Sequence, residues 1–169
     1  MFGPKRKAGE KTFREVDPPV TREKFDAFVK SLEHLKKVVR PRAAKEVIIL
    51  AEGGDFSENA GYQAAKGKLR GINAKILELE ERIKKAKIIT PATDTNTIQL
   101  GHTVTLTIGN TQRKFTILGS TESNPSRGII SHNSPIGSAI MGKRIGETVS
   151  VIVNGTHLNC SIEKISNEK

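Results

Sequence analysis

Asp55 and Glu58 stand three residues apart in the stretch "GGDFSENAGY", residues 53–62, of a chain whose Lys and Arg outnumber its Asp and Glu by 28 to 18. Two readings of these acids are open. In one, Asp55 or Ser57 caps a following helix, Glu58 sits in its first turn against the positive dipole end, and Gly53-Gly54 make the bend. In the other they are ligands for Mg²⁺, a hard ion that keeps several waters and is commonly held by one or two carboxylates plus substrate phosphates. Two acids cannot enclose such an ion. They can complete a site that another protein has half built, where a metal ion activates water and steadies a leaving oxygen.

The remaining chemistry-bearing residues are dispersed. Cys160 alternates with Leu158 and Ile162 on an apolar strand pattern and reads as a core thiol. His34, His102, His132 and His157 lack the spacing of a zinc site, and no G-x-x-x-x-G-K-[ST] or G-x-G-x-x-G loop is present. Lys66, Lys68, Arg70 and Lys75 follow the acidic stretch closely. They read either as the solvated face of a helix or as phosphate contacts to a nucleic-acid strand, salt-sensitive and without sequence preference. Tyr62 is open between a packing residue and a surface for stacking a base.

The elements that must position these residues are legible as periodicities. Phe25, Phe28, Leu32, Leu35, Val39, Ala43, Val47 and Leu50 recur at steps of three and four, which predicts a helix with one narrow apolar seam. Thr21 is its candidate N-cap, and Pro41 should kink it without ending it. Tyr62, Ala65, Leu69, Ile72, Ile76, Leu79, Ile83 and Ala86 alternate steps of three and four throughout. A seam that narrow suits a coiled-coil partner better than a globular core. The short connection makes the first helix that partner, so an antiparallel hairpin is expected, with "GGDFSENAGY" at the far end of arms about 45 Å long.

After Ile89-Thr90-Pro91 a Thr/Asn/Asp-rich linker leads to segments of period two: Val104-Leu106-Ile108, Phe115-Ile117, Val149-Val151-Val153 and Leu158-Cys160-Ile162. Gly109-Asn110 and Asn154-Gly155 are hairpin turns, and "NSPIGSAIMGK" reads as a short helix capped by Ser134, opened by Pro135 and stopped at Gly142. The fold expected is α+β: an antiparallel two-helix coiled coil, then a small antiparallel β domain with one short helix. Residues 1–19 read as a flexible basic tail, 20–90 as the hairpin, 91–97 as the linker and 98–169 as the β domain. A formal charge of +10 favours a polyanionic or acid-surfaced partner. One cysteine, no secretory h-region and no apolar run of membrane-spanning length suit a cytoplasmic protein with no membrane partner.

"GDFSENAGYQAAK" resembles the tip signature G-D-x-S-E-N-A-x-Y of the bacterial GreA/GreB transcript-cleavage factors, and "ISHNSPIGSAIMGKRIGE" is similar to a second stretch of that family. The likeness runs from about Val20 to Ile165. It implies that the β domain is FKBP-like, without isomerase activity, and docks at the rim of the RNA polymerase secondary channel while the hairpin enters it. Asp55 and Glu58 would then be the catalytic acids, sharing Mg²⁺ with polymerase when backtracking extrudes the RNA 3′ end. Tyr62, Lys66, Lys68 and Arg70 would contact the nucleic acid. The chain would be no enzyme by itself, would carry no cofactor in isolation and would take no small-molecule substrate. Gly61 departs from the pattern, since family members often carry another acid there, and residues 1–18 have no counterpart in it. Two other expectations stand beside this one: by the same resemblance, a secondary-channel regulator without cleavage stimulation, and, from the basic residues, a nucleic-acid-binding hairpin whose acids are mere caps.

Overall fold

A computed structural model describes residues 19–52, 59–90, 93–153 and 155–167. The chain enters through a two-residue strand, β1 (Pro19–Val20), paired in parallel with β2 (Lys87–Ile88). The expected tail is therefore shorter than its assigned span by at least Pro19, and Val20 is buried to 2% exposure. Proline presets extended backbone there and the valine after it has apolar surface to bury. Residues 1–18 lie outside the described residues.

Helix α1 (Arg22–His34) continues through a π-helical turn, Leu35–Val39, into α2 (Arg40–Ala51). Thr21 caps α1 as expected, accepting from the Lys24 amide at 3.2 Å. Pro41 has no N–H to offer its preceding turn, and the Arg40 amide instead donates to Leu35 O, five residues back. The sequence carries the same irregularity. Between Leu35 and Val47 the apolar steps are four, four and four, one residue more than strict alternation allows, and a π turn absorbs one extra residue.

Helix α3 (Ala60–Lys85) runs back along the first arm. Lys36 pairs with Glu80 at 2.6 Å and Glu46 with Lys68 at 2.8 Å, so partner numbers fall as the first arm advances, which is the antiparallel register. Ala43, Ala65, Ile76 and Leu79 are buried and the other seam residues half-buried. That partial burial is what a two-helix seam gives in place of a globular core. At the base, the Thr21 amide and hydroxyl donate to the Glu122 carboxylate at 2.7 and 2.5 Å, tying the hairpin to the β domain.

The second domain is a five-stranded sheet of order β5-β4-β3-β7-β6: β3 (Thr103–Ile108), β4 (Thr111–Leu118), β5 (Ile129–Ser131), β6 (Thr148–Val153) and β7 (Thr156–Ser166), with α4 (Pro135–Ile140) after β5. Both expected hairpins form, with Gly109 and Gly155 at φ +59° and +80°, backbone that glycine adopts without strain. Val104, Leu106, Phe115, Ile117, Cys160 and Ile162 build the core with Ile140 of α4. The expectation of a wholly antiparallel sheet needs correction, because β5 joins β4 in parallel. Residues 119–128 carry the chain back across the sheet end through two short 3₁₀ turns, and a parallel pair requires such a crossover.

The register also defines the face opposite the core. Thr105 lies between Lys114 and Lys164, Thr103 between Thr116 and Ser166, and Thr107 between Gln112 and Ser161. A bulge at Glu163 shifts the β3–β7 register by one residue, so Ile162 and Ile165 both reach the core.

Ser134 caps α4, accepting from the Gly137 amide at 3.1 Å. A Cβ on Gly137 would stand 2.1 Å from Ser131 O, closer than backbone tolerates. Gly137→Ala is expected to destabilise the protein by about 2–3 kcal/mol in urea unfolding, the scale of overpacking. Burial pushes the Cys160 thiol pKa up, and the side chain has no exposed surface. A thiol reagent should leave it unmodified in the native protein and label it fully in denaturant.

Candidate functional site at the far end of the hairpin

Helix α2 closes at Ala51 with the Glu52 amide on Ile48 O at 3.2 Å, and α3 opens at Ala60. One side chain joins the two ends. Asn59 accepts from the Tyr62 amide at 2.9 Å as N-cap of α3, while its own amide donates to Leu50 O on α2 at 3.1 Å. The expected caps, Asp55 or Ser57, are thereby corrected: Asn59 holds the cap position, because its oxygen stands within reach of the third amide of the helix. The first turn of α3, which opens at Ala60, contains no acid. Asp55, Ser57 and Glu58 lie outside the described residues. They fall in the segment whose two ends Asn59 clamps, with capping already provided.

The expected nucleic-acid residues divide among different tasks. Lys66 Nζ stands 5.7 Å from the Tyr62 ring centroid, one helical turn along, and Tyr62 is half-buried. That pair is a single unit, partly seam and partly surface. Lys68 turns across to Glu46 and fixes register. Arg70 is exposed. A Cβ on Gly61 would sit 3.2 Å from the Asn59 cap oxygen and 3.7 Å from Leu50 Cδ2, so a larger residue there would press on the clamp.

Sequence reasoning passed over an apolar pair beside this end. Ile48 and Ile49, 59% and 66% exposed, lie off the seam, and Ile49 shares an open hollow with Arg42, Lys45, Glu46 and Leu50. The signal was present as the unbroken run Val47-Ile48-Ile49-Leu50, where a two-residue seam needs only its ends.

Elsewhere, the Arg144 backbone amide and then the Lys143 ammonium hold the exposed Glu147 carboxyl below its usual range, securing a turn in the β domain. Among the described residues no group of three His, Cys, Asp or Glu side chains could hold a metal ion, and no helix is long and apolar enough to cross a membrane. His102 is fully buried and accepts from the Gln99 amide through Nδ1 at 3.2 Å, a structural role for which its sequence spacing gave no sign.

Residues 18–88 match the family described as "Transcription elongation factor, N-terminal", and residues 93–167 match "Transcription elongation factor, GreA/GreB, C-term". The transcription elongation factor GreA of Macrococcus caseolyticus is 37% identical over 151 residues, covering 88% of this chain and 96% of that protein. That of Nautilia profundicola is 38% identical over 153 residues, covering 89% and 94%. The crystal structure of the GreA factor homolog 1 (Gfh1) protein of Thermus thermophilus matches at 24% identity and a TM-score of 0.39, covering 87% of this chain and 97% of that one.

The Asn59 clamp separates stability from chemistry at this end. Asn59→Ala should cost about 1–2 kcal/mol in thermal unfolding followed by circular dichroism, the value of a lost N-cap. Asp55→Ala with Glu58→Ala should leave the midpoint unchanged within about 0.5 kcal/mol.

Proposed function

The chain belongs to the GreA/GreB family of transcription elongation factors, and from that premise we propose that its hairpin enters the secondary channel of RNA polymerase and stimulates cleavage of backtracked RNA. The observation that carries the reading is the assignment of the α3 cap to Asn59. Capping of α3 therefore requires neither acid.

On this reading the donor set fits a hard cation, since both groups are carboxylates. Asp55 and Glu58 would hold Mg²⁺ jointly with polymerase, where the bound ion would polarise a water and steady the leaving 3′ oxygen. The carboxylates of this chain orient that water and accept hydrogen bonds from it. Arg70 and the Lys66–Tyr62 unit lie on the helix leading away from the tip, where cation and ring can meet the phosphates and a base of the extruded strand. Polymerase then cuts its own transcript and resumes from the new 3′ end. The protein acts from the cytoplasm, requires no cofactor of its own and is inert toward RNA alone.

Gly61 supports a second reading, a channel-binding regulator that lacks cleavage stimulation, since this chain has glycine where family members often carry a further acid. One experiment separates the two. Halted, backtracked bacterial polymerase incubated with the protein and Mg²⁺ should release short RNAs. Asp55→Ala with Glu58→Ala should retain polymerase binding and lower the release rate on the order of a hundredfold or more, the scale of removing groups that position a reacting water. Equal rates from parent and variant would end the metal-sharing reading, and binding without cleavage by the parent would favour the regulator.

A further inference from the structure

The hairpin and the β domain meet at the base of α1, and each side of that joint is anchored in its own domain. On the hairpin side Thr21 caps α1, its hydroxyl accepting from the Lys24 amide at 3.2 Å, while the buried Val20 before it accepts from the Ile89 amide at 2.8 Å. On the other side Glu122 closes the 3₁₀ turn Ser120–Glu122, with its amide on Gly119 O at 3.1 Å and Ser120 Oγ 2.8 Å from Ser131 Oγ on β5. Both oxygens of one carboxylate then bridge the domains. Glu122 Oε2 accepts from the Thr21 amide at 2.7 Å and Oε1 from the Thr21 hydroxyl at 2.5 Å.

We propose that Glu122 is a positioning residue: through Thr21 it fixes the angle at which the β domain presents the hairpin, and so sets the cleavage rate without touching RNA or metal. The inference rests on the cleavage reading above for its effect on rate, and on geometry alone for the angle. Residues 93–96 of the connection between the domains are exposed, so they tether the two without aligning them. Burial of Val20 is favourable at many angles, because apolar contact has no direction. Two hydrogen bonds from one residue to one carboxylate are directional, and the charge on the acceptor makes them strong. The carboxylate also stands at the N-terminus of α1, where the helix dipole favours a negative group. Leverage makes the angle matter. The arm from Arg22 to Ala51 is about 45 Å long, so a rotation of about 10° at its base carries the far end through about 8 Å. A misplacement of about 1 Å at a reacting centre is enough to cost on the order of a hundredfold in rate.

The test has two arms on the full chain, with circular dichroism checking that each variant is folded. In the first, nitroxide labels on Ala64→Cys and Gln112→Cys, exposed positions on α3 and β4, report the distance between hairpin and sheet by pulsed electron resonance; Cys160, fully buried, stays unlabelled. The parent should give a narrow distribution, and Glu122→Ala a broad one. In the second, release of short RNAs from backtracked polymerase is followed against factor concentration. Glu122→Ala should lower the saturating rate about tenfold or more, while the concentration giving half that rate changes about threefold at most. Glu122→Gln, which keeps an acceptor at the same reach, should stand between parent and Ala in both arms. A distribution as narrow in Glu122→Ala as in the parent, or an unchanged saturating rate, would overturn the proposal. So would a Gln variant no better than Ala, which would assign the effect to charge at the helix end and not to alignment. A parent that releases no RNA would end the cleavage reading instead, and the distance arm would still decide whether Glu122 sets the angle.

Discussion

Everything at the far end of the hairpin depends on the register between two helices that share a seam only two residues wide. Such a seam half-buries its side chains and holds neither helix from a third side, so the apolar contacts stabilise the pair while leaving sliding weakly opposed. Three polar contacts at different heights resist the slide: Lys36–Glu80, Glu46–Lys68 and Asn59–Leu50. The two ion pairs are exposed, and pairs of that kind contribute about 0–1 kcal/mol each. Their value lies in selecting one register. Asn59 differs in kind, because the same side chain caps α3 and reaches the α2 backbone. It joins helix termination to helix pairing in one group.

The π turn belongs to the same constraint. An extra residue in the seam of the first arm would rotate everything beyond it away from α3 by roughly 100° in an ideal helix. Widening one turn at Leu35–Val39 takes up that residue, and Ala43, four positions on, is buried again. Pro41 fixes where the adjustment occurs, since the backbone acceptor it cannot serve lies within that turn. The kink expected from a single proline is thus better understood as one half of a compensation whose other half is a skipped residue.

The hairpin and most of the sheet were legible because each rests on a period that the sequence repeats many times. The cap was not, since Asp55, Ser57 and Asn59 are all good N-cap residues and only the position of the first helical amide decides among them. Thr21 and Glu122 lie 101 residues apart, and nothing in local pattern connects them. The parallel strand β5 is three residues long, too short for alternation to register.

Charge explains why chemistry at the proposed tip would require a partner. Arg42, Lys45, Lys66 and Arg70 flank the hairpin end, and cations so placed oppose the approach of a free divalent ion to two carboxylates. Asp55 and Glu58 alone would hold Mg²⁺ poorly. On the proposed reading, inside a polymerase that binds the ion through its own acids, the same cations would face phosphates and the balance would reverse: the basic flanks would favour the RNA while the acids supplied the missing oxygens. A tip that bound Mg²⁺ tightly in solution would gain nothing from the basic residues around it. The mixture of signs therefore fits a factor whose reactivity arises only on assembly.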